Sequence, residues 1–481
     1  MVFLDNVIIF LFINSIIIQM GFQQDISEAA EIIKDAESVT IISHIDADGI
    51  ASEAIMRQAV SRCGIELKSV FVRQLEPMTM KYVPDDDSLK IFIDLGAGQQ
   101  NLLEERNISE NEVLIIDHHI TQDTVTPYVQ VNGLKYGYEK LSAAGTGYLV
   151  AKETDDYNID LAKLAVIGNV GDMMARENCA LVGPARKIVD DGISYGNVEV
   201  VSDDLNCYGI STRPLHLCLS FSDDPFVSGI TNNPHNAQRL IECDAGIDLR
   251  KKNGKWRVWE DLSPEERRSI IGRLALRLHG AGESTDRLRA EHYIFPDEKK
   301  YTPLRNASEY ATMLNACGRW VKPKTGSLVC CGDRGEAYRE AEDMLRHHRS
   351  VIREMMEYIL DKGVNELSHM QYLHVEDRFP DTIVGIGAGM ALSKLNWKLP
   401  IMILCYLPDD PELVKISMRT NERMVASGID LQAALLEASE KVGGAGGGHK
   451  IAAGAYISRS VEEGFAESVN RILKEQSLKA C

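Results

Sequence analysis

Aspartate and histidine side chains gather at the ends of four apolar runs in the first half of the chain. These side chains are His44, Asp46, Asp48, Asp94, Asp117, His118, His119 and Asp172. An isolated aspartate after a strand usually caps a turn or a helix. Four such ends, with three histidines and without an adjacent lysine or arginine, instead favour one shared site.

Carboxylates gathered in one crevice repel one another strongly at low effective dielectric, and divalent cations would relieve that repulsion. Mixed carboxylate and imidazole ligands suit Mn²⁺, with Mg²⁺, Zn²⁺ or Co²⁺ as substitutes. The ligands suffice for two ions that share one carboxylate. Paired ions roughly 3.5–4 Å apart activate water and neutralise a phosphorus transition state. The residues therefore predict a two-metal hydrolase of phosphoesters, with amides as the alternative substrate class.

The elements that must position these groups alternate between short β-branched runs and helical stretches. Strands are predicted at 39–44, 68–73, 89–94 and 112–117, and a further apolar run, 164–171, is interpreted as a strand that ends at Asp172. Near-continuously apolar strands separated by helices indicate a parallel sheet covered on both faces. The carboxyl ends of such strands open into one crevice, where the eight side chains would meet.

The rest of the chain predicts a long helix and a second α/β unit. The pattern weakens between about 200 and 336, where helices are predicted over 263–280, capped by Ser263, and over 310–320. The amphipathic run 338–363 predicts a connecting helix. The elements predicted beyond it are strands at 370–376, 399–407 and 413–420, helices at 383–396 and 431–443, and a glycine-rich loop at 443–457.

Composition and charge limit the partners of this chain. It has 481 residues, 71 Asp and Glu against 52 Lys and Arg, and a formal net charge of −19. A polyanion would therefore need a local basic groove or bound metal ions. Ten cysteines without a CxxC pair are typical of a reduced, cytoplasmic protein without structural zinc or disulfides.

The apolar run 7–20 lacks a positively charged flank and is shorter than a membrane span. The favoured interpretation is a start-site artefact with the true start at Met20. The alternatives are a buried or partner-binding element and a weak membrane anchor. We expect no stable membrane association.

Four motifs, in this order, resemble those of the DHH phosphoesterase superfamily: HIDADG, the isolated Asp94, the run Asp117-His118-His119, and GNVGD. The glycine-rich GGAGGGHKIAAG, with ISMRTNE before it, resembles the DHH-associated C-terminal domain. LNACGR at 314–319 is similar to a stretch of RecJ-type exonucleases. The motifs span about residues 38 to 457 and look most like those of archaeal RecJ-like proteins.

The resemblance implies a role for each of the eight side chains. Asp94 would bridge the two metal ions. The further ligands would be His44 and Asp46 on one ion, and Asp48, His118 and Asp172 on the other. His119 would lie beside the scissile phosphate, and Asp117 would orient a histidine ring and raise its basicity. The two-residue spacing from His44 to Asp46 differs from the four-residue spacing of some small-substrate members of the superfamily.

The resemblance also implies substrate-binding residues and a domain layout. A substrate phosphate would be held by Arg419, His449 and the amides of Gly446, Gly447 and Gly448, and Arg319 would contact the strand or the domain seam. The implied fold is α/β, with an N-terminal parallel-sheet DHH domain, a long connecting helix and a smaller C-terminal α/β DHH-associated domain. The predicted segments are a leader (1–20), the catalytic domain (21–195), an intermediate region (196–335), the connecting helix (336–365) and the substrate-binding domain (366–481).

The implied function is a Mn²⁺-dependent exonuclease that releases mononucleotides from single-stranded DNA or RNA, with Mg²⁺ or Co²⁺ as substitutes. One alternative is an oligoribonuclease or a phosphatase of small nucleotides, of the pAp or cyclic-dinucleotide type. Another is a scaffold associated with the GINS replication complex. Basic residues at 305, 319, 322, 324, 419 and 450 could line a strand path, and the aromatic candidates for base stacking are Trp256, Trp259, Trp320 and Tyr338.

Overall fold

The computed structural model describes residues 2–122, 126–407 and 410–479, with side chains from residue 19 onward. The chain divides into two compact units between Met344 and Leu345. Most side chains of the predicted leader, 1–20, lie outside the described residues. No helix within the described ranges has the length and apolar character needed to cross a bilayer. The domain boundaries given above stay predictions.

A five-stranded parallel sheet lies at the centre of the first unit, as the sequence predicts. Its strands are β1 (Ser38–His44), β2 (Glu66–Val72), β3 (Leu89–Ile93), β4 (Val113–Asp117) and β5 (Val129–Asn132). The spatial order is β2-β1-β3-β4-β5, and every neighbouring pair is parallel. The sequence did not predict β5, because this strand has only four residues and two of them are polar. The parallel arrangement brings all five carboxyl ends to one edge.

Six helices accompany this sheet. They are α1 (Val2–Asp35), α2 (Ala47–Arg62), α3 (Gln100–Glu105), α4 (Ala143–Thr154), α5 (Ala162–Gly171) and α6 (Pro184–Tyr195). The prediction of a strand over 164–171 is wrong, because this run belongs to α5. Residues 162–169 are all buried, so the helix is enclosed on every side and its sequence lacks the exposed polar face that distinguishes a helix from a buried strand. Asp172 therefore follows a helix.

The middle of the chain has its own small core and a two-stranded antiparallel sheet. Its elements are β6 (Glu199–Leu205), α7 (Leu215–Ser220), α8 (Pro234–Arg239), α9 (Pro264–Gly280), β7 (Arg289–Ile294), α10 (Ala307–Arg319) and α11 (Pro323–Cys330). The predicted cap of α9 is confirmed: Ser263 and Glu266 exchange side-chain to backbone hydrogen bonds.

Helix α10 packs directly against the loop that joins β1 to α2. The Oδ1 of Asn315 accepts a hydrogen bond of 3.0 Å from the backbone N–H of Ala47. A Cβ atom at Gly318 would overlap the carbonyl oxygen of Ile45. Only glycine allows this approach, and the LNACGR motif thereby supports the loop around which the first three predicted ligands, His44, Asp46 and Asp48, are placed.

The long helix α12 (Glu336–Lys362) agrees with the predicted connecting helix and contains the division between the two units. The second unit is built from β8 (Asn365–Glu366), β9 (Gln371–His374), α13 (Asp381–Leu392), β10 (Ile401–Tyr406), β11 (Leu413–Arg419), α14 (Glu422–Ala426), α15 (Leu431–Glu440), β12 (Ala445–His449), β13 (Ala452–Ser458) and α16 (Phe465–Lys479). The sheet order is β12-β13-β11-β10-β9-β8, and only β9 and β10 are parallel.

The predicted glycine-rich loop at 443–457 is wrong in its local structure, because the segment forms the hairpin β12–β13. Glycine is depleted in strands, so its high content here favoured a loop. Close packing explains its presence: a Cβ at Gly446 would lie 2.6 Å from the Ser439 Oγ and 2.8 Å from the Leu435 carbonyl oxygen. The strand lies flat on α15 for that reason.

Replacing Gly318 by alanine tests the close approach of α10. We expect Gly318→Ala to lower the free energy of unfolding by about 3 kcal/mol, since either α10 or the β1–α2 loop must shift. Gly272→Ala is the matched control, because Gly272 lies within α9 with open space around its Cβ position. It should raise stability by about 0.5–1 kcal/mol. Equal effects of the two variants in urea unfolding would contradict the packing described.

Candidate metal centre

The carboxyl edge of the parallel sheet brings all eight predicted aspartate and histidine side chains together. They form three overlapping groups, within each of which the ligand atoms lie within 4.8 Å of one another. The groups are His44, Asp46 and Asp94; Asp48, His118 and Asp172; and Asp94, Asp117, His118 and His119. Asp172 reaches the edge from the end of α5 rather than from a strand.

Asp94 lies at the centre of this arrangement. It directly follows β3, is 3% exposed, and has a left-handed backbone conformation with φ of 61°. Its Oδ2 atom lies 3.2 Å from His44 Nδ1, and its Oδ1 atom lies 3.4 Å from His118 Nε2. The two oxygens of one carboxylate thus face two different groups, as a carboxylate shared between two cations must.

The first group is fixed by the start of α2. The Nδ1 atom of His44 lies 3.1 Å from Asp46 Oδ2. The other oxygen of Asp46 caps α2 by accepting a hydrogen bond of 3.0 Å from the Gly49 N–H. A Cβ at Gly49 would overlap the His44 carbonyl oxygen. The glycine of HIDADG is therefore needed to fold the loop back on the end of β1.

The second group is fixed by the starts and ends of neighbouring helices. Asp48 is 1% exposed, and its oxygens accept hydrogen bonds of 2.8 and 3.0 Å from the N–H groups of Ala143 and Ala144 at the beginning of α4. The Nε2 atom of His118 lies 3.9 Å from Asp48 Oδ2 and 3.4 Å from Asp172 Oδ2. Backbone amides are therefore the main hydrogen-bond donors to the Asp48 carboxylate.

Asp117 orients the neighbouring histidine. Its Oδ1 atom lies 2.7 Å from His119 Nδ1, and its two oxygens also accept the N–H groups of Ala97 and His118 at 2.9 and 2.8 Å. The carboxylate is fully buried, whereas the His119 side chain is 49% exposed. Asp117 contacts the His119 ring through Nδ1, so it does not engage the other ring nitrogen, Nε2.

The electrostatics of the site show an excess of buried negative charge. Burial and the charge of Asp94 raise the pKa of Asp48 well above its usual range. Burial also raises the pKa of Asp172 to about 6, although His118 opposes the shift. Burial alone would lower the pKa of His118, yet the nearby carboxylates raise it to about 10. Such a field favours the binding of divalent cations.

The side chains fit a metal site in their chemistry as well as in their charge. His118 Nε2 is buried and, among the described residues, has no hydrogen-bond partner of good geometry. A buried imidazole nitrogen aimed between carboxylates is a ligand that a cation would satisfy. Carboxylate oxygens and imidazole nitrogens together suit Mn²⁺ and also admit Mg²⁺ or Co²⁺.

The predicted phosphate-binding residues of the second unit lie on neighbouring strands of its sheet, Arg419 on β11 and the others on the glycine-rich strand β12. Arg419 and His449 are both paired with Ala452, one from each side, so the two residues share one row of the sheet. The Nη1 atom of Arg419 donates 2.7 Å to the Met418 carbonyl. Gly447 has open space where a Cβ would stand, and Gly448 has φ of 130°. These glycines belong to β12, which lies at the edge of the sheet.

The other residues that the sequence predicts to contact a nucleic-acid strand occupy several different environments. Arg319 is half-buried at the end of α10 in the first unit. Arg305 is used internally, where its Nη1 donates 2.8 Å to the Phe295 carbonyl, and Lys322 pairs with Glu340 at 2.8 Å. Trp259 is fully buried, so it belongs to the core rather than to a base-stacking surface.

Sequence reasoning missed two asparagines that support the site. Asn132 ends β5 and donates 2.9 Å from Nδ2 to the His119 carbonyl, while Asn315 holds the Ala47 N–H as described above. Asn132 follows an apolar alternation and precedes a glycine, which was an available signal. Asn315 gave no signal beyond its place in LNACGR, because its partner is distant in sequence.

Comparison with known proteins shows three family matches in chain order. They are the N-terminal domain of the DHH family over residues 38–169, the DHH-CID domain over 207–290 and the DHHA1 domain over 369–475. An uncharacterised protein of Methanocaldococcus jannaschii is 25% identical over 450 residues, which cover 91% of this chain and 94% of that protein.

Two solved structures share the fold. The crystal structure of RecJ from Thermus thermophilus in complex with Mn²⁺ matches with a TM-score of 0.58 and 17% identity, and this chain spans 94% of its own length but only 55% of that chain. The crystal structure of CDC45 from Entamoeba histolytica matches with a TM-score of 0.64 and 14% identity, over 95% of this chain and 99% of that one.

Addition of Mn²⁺ should stabilise the protein through this cluster. At a concentration a hundredfold above the dissociation constant, we expect about 2.7 kcal/mol of added stability for each ion bound, read as a rise in the midpoint of thermal unfolding. Asp94→Asn should abolish most of this rise, since asparagine keeps the left-handed conformation but removes the shared carboxylate. The metal-free variant should be at least as stable as the wild type, because it removes one of the repelling charges.

Asp361→Asn is the control for that measurement, since Asp361 is an exposed residue of α12. It should retain the full Mn²⁺-induced rise. An Asp94→Asn variant with an undiminished rise would contradict the shared role of Asp94.

Proposed function

We propose that this chain, which belongs to the DHH superfamily, is a divalent-metal-dependent phosphodiesterase that removes mononucleotides from the ends of single-stranded nucleic acid. The observation that carries the proposal is the position of Asp94, whose two oxygens face two separate ligand groups. This geometry supports a two-metal site of the kind used in phosphoester hydrolysis.

The residues that would hold the ions follow from the groups described above. One ion would be held by His44, Asp46 and Asp94, and the other by Asp48, Asp94, His118 and Asp172. Two bound Mn²⁺ ions would neutralise the charge of the reacting phosphate and make a water molecule more acidic. The amides of α4 and the cap of α2 keep the carboxylates in place before substrate arrives.

His119 is proposed to act on the phosphate rather than on a metal. Asp117 holds its Nδ1 atom, fixes the ring orientation and favours a proton on that nitrogen. Half of the side chain is exposed, so its Nε2 atom can reach a phosphate oxygen or the leaving oxygen. A protonated Nε2 there would stabilise developing negative charge or protonate the departing group.

The second unit supplies a proposed anchor for a substrate phosphate. Arg419 and His449 lie in one row of the sheet, and Gly446 to Gly448 lie beside them on the edge strand β12. Guanidinium, imidazole and amide donors together suit a phosphate. This anchor serves a nucleic-acid strand and also a small nucleotide, so it does not by itself separate the two substrate classes.

The similarity in fold to CDC45 supports a second candidate, a scaffold in a replication complex that contacts GINS. All eight predicted metal and catalytic side chains are present and converge here, which favours an enzyme. The two roles are compatible in one protein. An oligoribonuclease or a small-nucleotide phosphatase would use the same centre on a shorter substrate.

Turnover of end-labelled single strands tests the proposal. With Mn²⁺ we expect mononucleotides from single-stranded DNA or RNA, no products in EDTA, and no attack on blunt duplex. Labels at the 5′ and 3′ ends, on both DNA and RNA, report the polarity and the sugar preference. Products only from two- to five-residue oligomers or from mononucleotides would favour the small-nucleotide alternative. No turnover of any of these, with capture of GINS subunits, would favour the scaffold.

His119→Gln separates catalysis from metal binding. We expect a fall in kcat of about a hundredfold or more, because the group that stabilises the phosphate or the leaving oxygen is lost. The Mn²⁺-induced rise in thermal stability should be retained. Loss of that rise would show that His119 is a metal ligand and would overturn its proposed role.

A further inference from the structure

The middle region of the chain presents a cluster of cationic and aromatic side chains that the metal centre does not use. We define the basic patch as Arg250, Lys251, Lys252, Lys255, Trp256, Lys299, Lys300 and Tyr301. Five of the eight residues from 250 to 257 are lysine or arginine. Such local density of positive charge is notable in a chain whose formal net charge is −19.

The patch is built on an ordered turn. Across its base, Arg250 and Trp256 pair as antiparallel neighbours. The Lys251 N–H donates 2.8 Å to the Lys255 carbonyl, and Gly254 closes the turn with φ of 81°. Leu249 and Trp259, which flank the segment, are buried in the core of this region. The turn therefore holds its charges at a fixed place on the surface.

Two aromatic rings lie among these cations. The Arg250 guanidinium is centred 3.8 Å from the Trp256 ring, and Lys251 Nζ lies 4.0 Å from the ring of Tyr301. Trp256 is 37% exposed and Tyr301 is 52% exposed. Lys299 and Lys300 directly precede Tyr301 in sequence. The contact of Lys251 with Tyr301 therefore brings these two lysines next to the turn.

Most of the positive charge in the patch is not neutralised by ion pairs with the described residues. Lys251 pairs with Asp261 at 2.9 Å, and the adjacent Arg257 pairs with Glu266 at 2.7 Å. Among the cations of the patch, those that are exposed and have no ion-pair partner in the part of the chain that the structure describes are Arg250, Lys252, Lys255, Lys299 and Lys300. Like charges held together on a turn destabilise the fold by repulsion, and a polyanion would relieve it.

We infer that the basic patch is a second, non-catalytic binding surface for single-stranded nucleic acid. Cations that track phosphates, interleaved with exposed aromatic rings on which bases stack, are the chemistry that unpaired strands require. A duplex would offer its phosphates but not its base faces. The inference rests on the proposed function, because it places a distant part of the same strand on the middle region.

Strand binding in EDTA, where no cleavage occurs, tests the inference. The probe is a fluorescent oligothymidylate of about thirty nucleotides, followed by anisotropy over a series of salt concentrations. The patch variant is Lys252→Gln/Lys255→Gln/Lys300→Gln, which alters exposed residues only. We expect a dissociation constant raised about tenfold or more, and a salt slope reduced by about 2, since three phosphate contacts on single strands contribute roughly 0.7 each.

The matched control is Lys68→Gln/Lys187→Gln/Lys474→Gln, which removes the same charge from three exposed lysines elsewhere. It should leave the affinity and the salt slope near their wild-type values. An equal loss in both variants, unchanged binding by the patch variant, or no binding by the wild type would overturn the inference. The inference would also be overturned if the patch variant lost binding to phosphatidylcholine–phosphatidylserine vesicles but still bound strands like the wild type, because the patch would then serve a lipid surface.

Turnover with Mn²⁺ separates this inference from the proposed function. If the wild type binds strands in EDTA but cleaves no substrate with Mn²⁺, the proposed function is contradicted, whereas the assignment of the basic patch as a strand-binding surface still holds. The patch variant should cleave a dinucleotide at the wild-type rate and long strands at a lower kcat/KM. Equal kcat/KM on long strands for variant and wild type would overturn the patch alone.

Discussion

The structure of the first unit depends on holding several carboxylates close together without matching cationic side chains. Asp48 and Asp94 are almost completely buried, and both lie within 4 Å of His118, which also lies 3.4 Å from Asp172. Repulsion between them would be severe at the effective dielectric of a protein interior. Backbone amides at the start of α4, histidine rings and the cap of α2 offset part of it. The remainder is the driving force that we assign to cation binding.

Close backbone packing makes this arrangement sterically feasible. A Cβ at Gly168 would lie 2.5 Å from Asp48 Oδ1, and one at Gly171 would lie 2.9 Å from the Cβ of Ala47. Together with Gly49 and Gly318, these residues let α5 and α10 approach the loop after β1. The glycines of the HIDADG, GNVGD and LNACGR motifs therefore act mainly through packing, while the acidic and histidine residues form the candidate metal centre.

Much of the fold and the composition of the site could be predicted from the sequence, because buried parallel strands and paired acidic motifs leave strong local signals. The convergence of His44, Asp94 and His118 was predicted from their positions at the carboxyl ends of parallel strands. The errors arose where burial removes periodicity, as in α5 before Asp172, and where glycine content hides a strand, as in β12. The role of Asn315 depends on a contact more than 260 residues away in sequence, which no local pattern records. The lysines and arginines of the basic patch are visible in the sequence, but their exposure and the fact that only Lys251 among them has an ion-pair partner in the described residues required the structure.

Anomalous diffraction from crystals grown with Mn²⁺ would show whether the Asp94 carboxylate is shared between two cations. The account predicts two peaks at the carboxyl edge of the parallel sheet, one on each side of the Asp94 carboxylate and roughly 3.5–4 Å apart. A single peak that does not contact Asp94, or no peak among these aspartates and histidines at saturating Mn²⁺, would contradict it.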